Sequence, residues 1–272
     1  MFIQRITSGI IITVISALIL FAAPGWAFAL LVAVFIILAL NELFTIIEKN
    51  KQIGLNKKLG IILGALVAAA TYYDYKIPTD WFFLFIPAIC LFIFIVQFTK
   101  RDNRAVLSIA VILFGLVYVS WFLSFFIRIR AMPMGTEMFR RELVGFLILV
   151  TKSGDIGAYI VGTKFGRHSL IPRISPKKTV EGTVAGLLFS IFVALACKGF
   201  LLGFSVWRLL FLGLLLGVLA QIGDLSESLI KRDCGVKDSG GTLPGLGGIL
   251  DALDSLLFTA PIFYFYVKVF MQ

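Results

Sequence analysis

Long apolar runs separated by short polar stretches dominate the chain. They fall at Ile6–Ala23, Trp26–Ile47, Leu59–Tyr73, Trp81–Phe98, Ala105–Ile127, Leu143–Phe165, Thr183–Phe200, Ser205–Ile222 and Leu253–Val269. Most approach the roughly 20 residues that an α-helix needs to cross a hydrocarbon core about 30 Å thick. Backbone amides have no water to bond in lipid, so a spanning segment must pair its own, and the strict alternation of a membrane barrel is absent. The pattern predicts an all-α integral membrane protein with about nine transmembrane helices. Pro24-Gly25 separates the first two runs by no more than a turn. The first run follows Arg5 and resembles a secretion signal, but at about 18 residues it exceeds the usual apolar core of such signals, so a retained helix is expected. Tyr72, Tyr73, Tyr75, Trp81, Trp121 and Trp207 lie near run ends, as interfacial aromatics do. Gly60, Gly64, Ala65, Ala68 and Ala69 give the third helix a small-residue face for close packing.

Composition agrees: 60% of the 272 residues are hydrophobic and 15% charged, against about half and a quarter in soluble domains. The net charge of +10 would suggest nucleic acid in a soluble protein. In a membrane protein, basic cytoplasmic loops and anionic lipid head groups account for it, so no nucleic-acid partner is expected. Cys90, Cys197 and Cys234 are scattered, without metal-type spacing or a disulfide framework. Lys and Arg favour the side holding the N-terminus and the loops after the second, fourth, sixth and eighth runs by about two to one. Arg128, Arg130, Arg140 and Arg141 are the main counterweight. The expectation is a multi-pass cell-membrane protein with its N-terminus and polar loops 166–182 and 223–252 cytoplasmic and its C-terminus outside.

Helix packing suffices to explain the residues before about 145, so residues 1–142 read as a transmembrane scaffold and 143–272 as a transmembrane catalytic region. Three polar clusters interrupt the second part. The first is Thr151-Lys152-Ser153-Gly154-Asp155, followed by Tyr159. Lys152, Asp155 and Tyr159 share a helix face inside an apolar run, which reads either as a self-neutralising pair or as the wall of a wet cavity. The second is Ser175-Pro176-Lys177-Lys178-Thr179-Val180-Glu181-Gly182. Taken alone it is a solvated basic loop; its lysines also suit phosphates, and Ser175 or Thr179 can cap the next helix or donate to a phosphate oxygen.

The third cluster runs from Gly223 to Asp254. Asp224, Glu227, Ser228 and Lys231 share one helix face, and Asp251 and Asp254 share another. The loop between them holds Gly240, Gly241, Gly245, Gly247 and Gly248. Glycines let backbone N–H groups approach phosphates. Carboxylates without histidine or cysteine suit Mg²⁺, with Asp155, Asp224, Glu227, Asp251 and Asp254 as candidate ligands. Together these point to phosphoryl or nucleotidyl transfer, chemistry that rests on positioning and charge stabilisation. The single histidine, His168, is not needed as a base if the nucleophile is itself a phosphate, largely dianionic at neutral pH.

Ser228-x-x-Lys231-Arg232, Gly235-x-Lys237-Asp238 and Leu243-Pro244-Gly245-x-Gly247-Gly248-x-x-Asp251-x-x-Asp254 resemble the signature of the CDP-diacylglycerol synthases, or phosphatidate cytidylyltransferases. Ser175-Pro176-Lys177-Lys178-Thr179-x-Glu181-Gly182, Asp155-x-x-Ala158-Tyr159 and Phe165-Gly166-Arg167 also match, so the likeness covers about 155–262. The resemblance implies transfer of CMP from CTP to phosphatidate, giving CDP-diacylglycerol and pyrophosphate in phospholipid biosynthesis. It further implies a cavity formed by the C-terminal helices and open to the cytoplasm, and a homodimer. It assigns metal binding to Asp224 and Asp251, and phosphate steering to Lys177, Lys178, Lys231, Arg232 and Lys237. The chain departs from the family pattern at Leu246 and Ala252, where histidine and arginine are usual. Two other readings stand beside this one. A CTP-dependent polyprenol or dolichol kinase would use an alcohol nucleophile, and hence a base. An ion or anion transporter would be expected to carry paired helix interruptions in its two halves.

Overall fold

The computed structural model describes residues 2–51, 54–76, 81–99, 104–199, 201, 203–243 and 247–271. Each apolar run is helical: α1 (Phe2–Ala22), α2 (Gly25–Lys51), α3 (Lys57–Lys76), α4 (Trp81–Phe98), α5 (Ala105–Gly115) and α6 (Phe122–Arg130), then α7 (Glu137–Phe165), α8 (Val180–Ala196), α9 (Val206–Asp233) and α10 (Ile249–Phe270). A π-helical turn, Leu116–Trp121, joins α5 to α6, so one run becomes a continuous rod. Among the described residues, six helical stretches are long and apolar enough to cross a membrane, and α1 and α4 contain shorter apolar stretches. The chain is thus an all-helical, multi-pass membrane protein. The described residues also include an antiparallel ribbon of β1 (Ser169–Ile171) and β2 (Ser175–Thr179), pairing Ser169 with Thr179 and Ile171 with Ser175.

The chain forms two compact units that interleave in sequence. The first is Met1–Met132 with Cys234–Leu250; the second is Pro133–Asp233 with Asp251–Gln272. In the first, Leu40 and Phe44 of α2 are fully buried, and glycines make room for them. A Cβ on Gly60 or Gly115 would stand 2.5 Å from the Phe44 ring, and one on Gly64 would stand 2.2 Å from Leu40. This is the close-packing face expected of α3. Helices in lipid gain little from hydrophobic transfer between one another, so contact at this distance is where their cohesion comes from.

The second unit uses the same device. A Cβ on Gly186 of α8 would lie 2.8 Å from the Gly154 carbonyl oxygen of α7, and one on Gly182 would lie 2.8 Å from that of Ala158. Gly213 of α9 would likewise approach the Ile191 backbone of α8 to 2.6 Å. Thr136 caps α7 by accepting from the Phe139 amide at 3.1 Å, so that helix begins one and a half turns before its apolar run. These contacts fix α7, α8 and α9 against one another and thereby place the polar residues of each.

Candidate active site

Gly223 sets the geometry of the second unit's polar cluster. A Cβ there would lie 2.4 Å from the Asp254 carbonyl oxygen, so only glycine lets α9 and α10 approach this closely. Two turns further along α9, Lys231 places its ammonium between two carboxyls, 2.8 Å from Glu227 Oε2 and 2.6 Å from Asp251 Oδ1. Glu227 is wholly buried, and its second oxygen, Oε1, accepts no hydrogen bond. Such an orphaned acceptor is costly unless something else engages it. Asp251 and Lys231 are only slightly exposed, at 14% and 13%. Asp224, one turn before Glu227, pairs with Lys178 Nζ at 2.7 Å.

Lys178 reaches Asp224 because the ribbon is held from several sides. Thr179 closes β2 and caps α8, its hydroxyl accepting from the Gly182 amide at 3.1 Å. Glu181 gathers the preceding turn: it accepts from the Arg167 and His168 amides at 3.1 and 3.2 Å and meets His168 Nδ1 at 2.6 Å. Arg232 Nε donates to the Ile174 carbonyl at 3.1 Å, tying the ribbon tip to the end of α9. Of the lysine pair, Lys177 is exposed while Lys178 is half-buried.

Deeper along the helices, Lys152 donates to Asp155 Oδ2 at 3.0 Å and to Ser255 Oγ at 2.7 Å, and Ser255 Oγ donates to the same Asp155 oxygen at 2.8 Å. Lys152 and Asp155 do pair, but each stays about a third exposed, at 32% and 33%. Asp254 is buried beside Ser255 and accepts from its amide.

The glycine loop belongs to the first unit. Leu243 and Gly247 exchange backbone hydrogen bonds at 3.0 and 3.2 Å, pinching the loop into a closed turn. Gly247 has φ +98°, a conformation that disfavours any other residue. Gly245 and Leu246 lie outside the described residues. Lys237 and Asp238 are exposed at the start of the loop. The loop closes on Glu42 of α2, a residue that helix packing alone does not explain. Its Oε1 accepts from Thr242 Oγ1 and from the Ile249 amide at 3.0 Å; its Oε2 accepts from Ser239 Oγ at 3.2 Å and the Leu250 amide at 2.9 Å. A lone acid inside the second apolar run was the available signal.

The acids and lysines therefore assemble as three groups: Asp224 with Lys178, Glu227 and Asp251 with Lys231, and Asp155 with Lys152. Ser175 and Ser228 are half-buried on β2 and α9. Thr179 and Glu181 are engaged in holding the ribbon. Among the described residues, no three acidic, histidine or cysteine side chains stand close enough to hold a metal by themselves.

Comparison with known proteins bears on this arrangement. A profile of the cytidylyltransferase family matches residues 3–270. A phosphatidate cytidylyltransferase of Synechocystis sp. is 35% identical over 288 residues, covering 97% of this chain and 96% of that protein. An uncharacterized protein of Escherichia coli (strain K12), YnbB, is 33% identical over 249 residues, covering 91% of this chain and 81% of its own length. A phosphatidate cytidylyltransferase of Staphylococcus saprophyticus reaches 49% identity over a shorter stretch of 118 residues, 43% of this chain and 45% of that one. A match running almost from end to end, on a chain whose acids and lysines meet at the junction of α9 and α10, places this protein in the cytidylyltransferase family.

Proposed function

We propose that the protein transfers CMP from CTP to phosphatidate. A phosphatidate oxygen attacks the α-phosphorus of CTP, forming one P–O bond. The bond from that phosphorus to the bridging oxygen breaks, and pyrophosphate leaves, so CDP-diacylglycerol remains in the membrane. The observation that carries this reading is the ammonium of Lys231 shared by Glu227 and Asp251, with Lys178 on Asp224 nearby along α9. Such a set offers cations to phosphates and carboxylates to a hard metal, and neither reactant needs a base, because the nucleophile is already an anion.

Mg²⁺ fits these residues. It is commonly held by one or two carboxylates, with water and substrate phosphates completing its shell, so Asp251 and Glu227 suffice without a third acid. Glu227 Oε1 is a buried oxygen donor without a partner, the chemistry that such an ion takes. Asp224 is the next candidate ligand, and Asp155 and Asp254 the more remote ones. When bound, the ion would neutralise charge on the phosphates. The chain's own part is to hold them: Lys178 and Lys231 exchange their carboxylates for phosphate oxygens, and the exposed Lys177, Arg232 and Lys237 draw the anions in. In this reading nine helices cross the membrane, the ribbon and glycine loop face the cytoplasm, and two copies associate.

The test is isotopic. With purified protein, phosphatidate and Mg²⁺, label from the α-phosphate of CTP enters lipid and label from the γ-phosphate leaves as pyrophosphate. Transfer of the γ label to lipid would identify a kinase and overturn the proposal.

A further inference from the structure

Glu42 is 4% exposed, and the four donors described above are all neutral: two hydroxyls and two backbone amides. Each oxygen takes one hydroxyl and one amide. The amides are those of Ile249 and Leu250, the first two residues of α10, whose N–H groups have no acceptor within their own helix. Helix starts usually take a cap from the residue just before, and here that residue is Gly248, which has no side chain to offer. The carboxylate of a residue 207 positions earlier in the chain serves instead. The neighbouring glycines keep room for it. A Cβ on Gly248 would fall 2.3 Å from Glu42 Oε2 and 2.0 Å from Ser239 Oγ, and one on Gly240 would fall 2.8 Å from Glu42 Oε1.

We infer that Glu42 is a positioning residue of the transferase: its carboxylate clamps both ends of the glycine loop and fixes the first turn of α10, on which Asp251 stands. The inference rests on the reaction proposed above only for its kinetic consequence. A carboxylate at a helix start also favours the helix dipole, so the same group that holds the loop stabilises the turn carrying Asp251.

Glu42→Gln keeps the shape but turns one acceptor oxygen into an NH₂ group, which cannot accept from an amide or hydroxyl donor. We expect kcat for CMP transfer to fall at least tenfold, with KM for phosphatidate changed less than threefold. Hydrogen exchange at the Ile249 and Leu250 amides should rise at least tenfold, while amides in the middle of α7 stay unchanged. Thr242→Val and Ser239→Ala each remove one donor and leave the carboxylate, so they should lower kcat severalfold. Their effects should be non-additive with Glu42→Asp, because all act through one clamp. If Glu42→Gln does not fold, the milder pair carries the same test. Unchanged exchange at Ile249 and Leu250 with wild-type kcat in these variants would overturn the inference. A wild-type protein that transfers no CMP would instead defeat the proposed reaction and leave the exchange measurement to decide on the clamp.

Discussion

At the scale of single residues, Lys231 is where structure and proposed chemistry meet most closely. Its ammonium lies within 2.8 Å of Glu227 and 2.6 Å of Asp251, and it is the cation that lets two mostly buried carboxyls stand together. Removing one partner of a buried ion pair costs about 3–5 kcal/mol, because the other is left uncompensated. Lys231→Met should therefore lower the thermal midpoint in detergent as well as abolish transfer. Adding Glu227→Gln relieves the like-charge contact, so the double variant should regain much of the midpoint and none of the activity. Recovery of transfer to within about tenfold of wild type, or about 1.4 kcal/mol in barrier, would mean that Lys231 serves folding alone. The sequence already pointed to Lys231, Glu227 and Asp251, because helical spacing and the family motif put them on two facing helix ends. Glu42 was not legible in the same way. A single acid in an apolar run says only that it faces protein or water, and its partners lie about two hundred positions away.

Elements were legible where one physical rule governs them. Each apolar run became a helix, since lipid leaves the backbone no alternative. Boundaries were missed where the stabilising group lies outside the run. α10 begins at Ile249 rather than Leu253 because Glu42 caps it, and α7 begins at Glu137 rather than Leu143 because Thr136 does. The ribbon was invisible, for β2 is five residues containing a proline and two lysines, with no alternating apolar signal. Two strands alone are marginal, so this ribbon depends on its ties to α8 and α9. Glu181→Ala removes the acceptor for the Arg167 and His168 amides and should expose the bonds after Arg167 and Arg173 to trypsin in the detergent-solubilised protein. Because Lys178 is the ribbon's contribution to the acids, Lys178→Gln should lower kcat/KM about a hundredfold, or about 2.7 kcal/mol, and Glu181→Ala about tenfold or less. An effect of Glu181→Ala equal to that of Lys178→Gln, without faster cleavage, would place Glu181 on the substrate instead.

For the whole molecule, an important feature is that the chain returns. After building the second unit to Asp233, residues Cys234–Leu250 rejoin the first, and Asp251 resumes the second. No compositional break marks that exchange, since the returning piece is a short polar loop between two apolar helices. Membrane orientation is the matching question at this scale, and it reduces to parity. Six helical stretches meet strict length and composition limits among the described residues, and an even number of crossings would put both ends on one side. All nine apolar runs are helical, however, and nine crossings put the ends on opposite sides. With nine crossings, the two-to-one excess of Lys and Arg would put the N-terminus and ribbon on the cytoplasmic side, as proposed above. Two probes test the part of the count that follows the ribbon. A phosphatase that is active only outside the cytoplasm, fused after Gln272, should be active in intact cells. A cysteine in place of Arg173 at the ribbon tip, with Cys90, Cys197 and Cys234 replaced by alanine, should resist a membrane-impermeant maleimide until the membrane is opened. Finding both probes on one side would mean an even number of crossings between the ribbon and Gln272. One of α8, α9 and α10 would then lie along the membrane rather than through it.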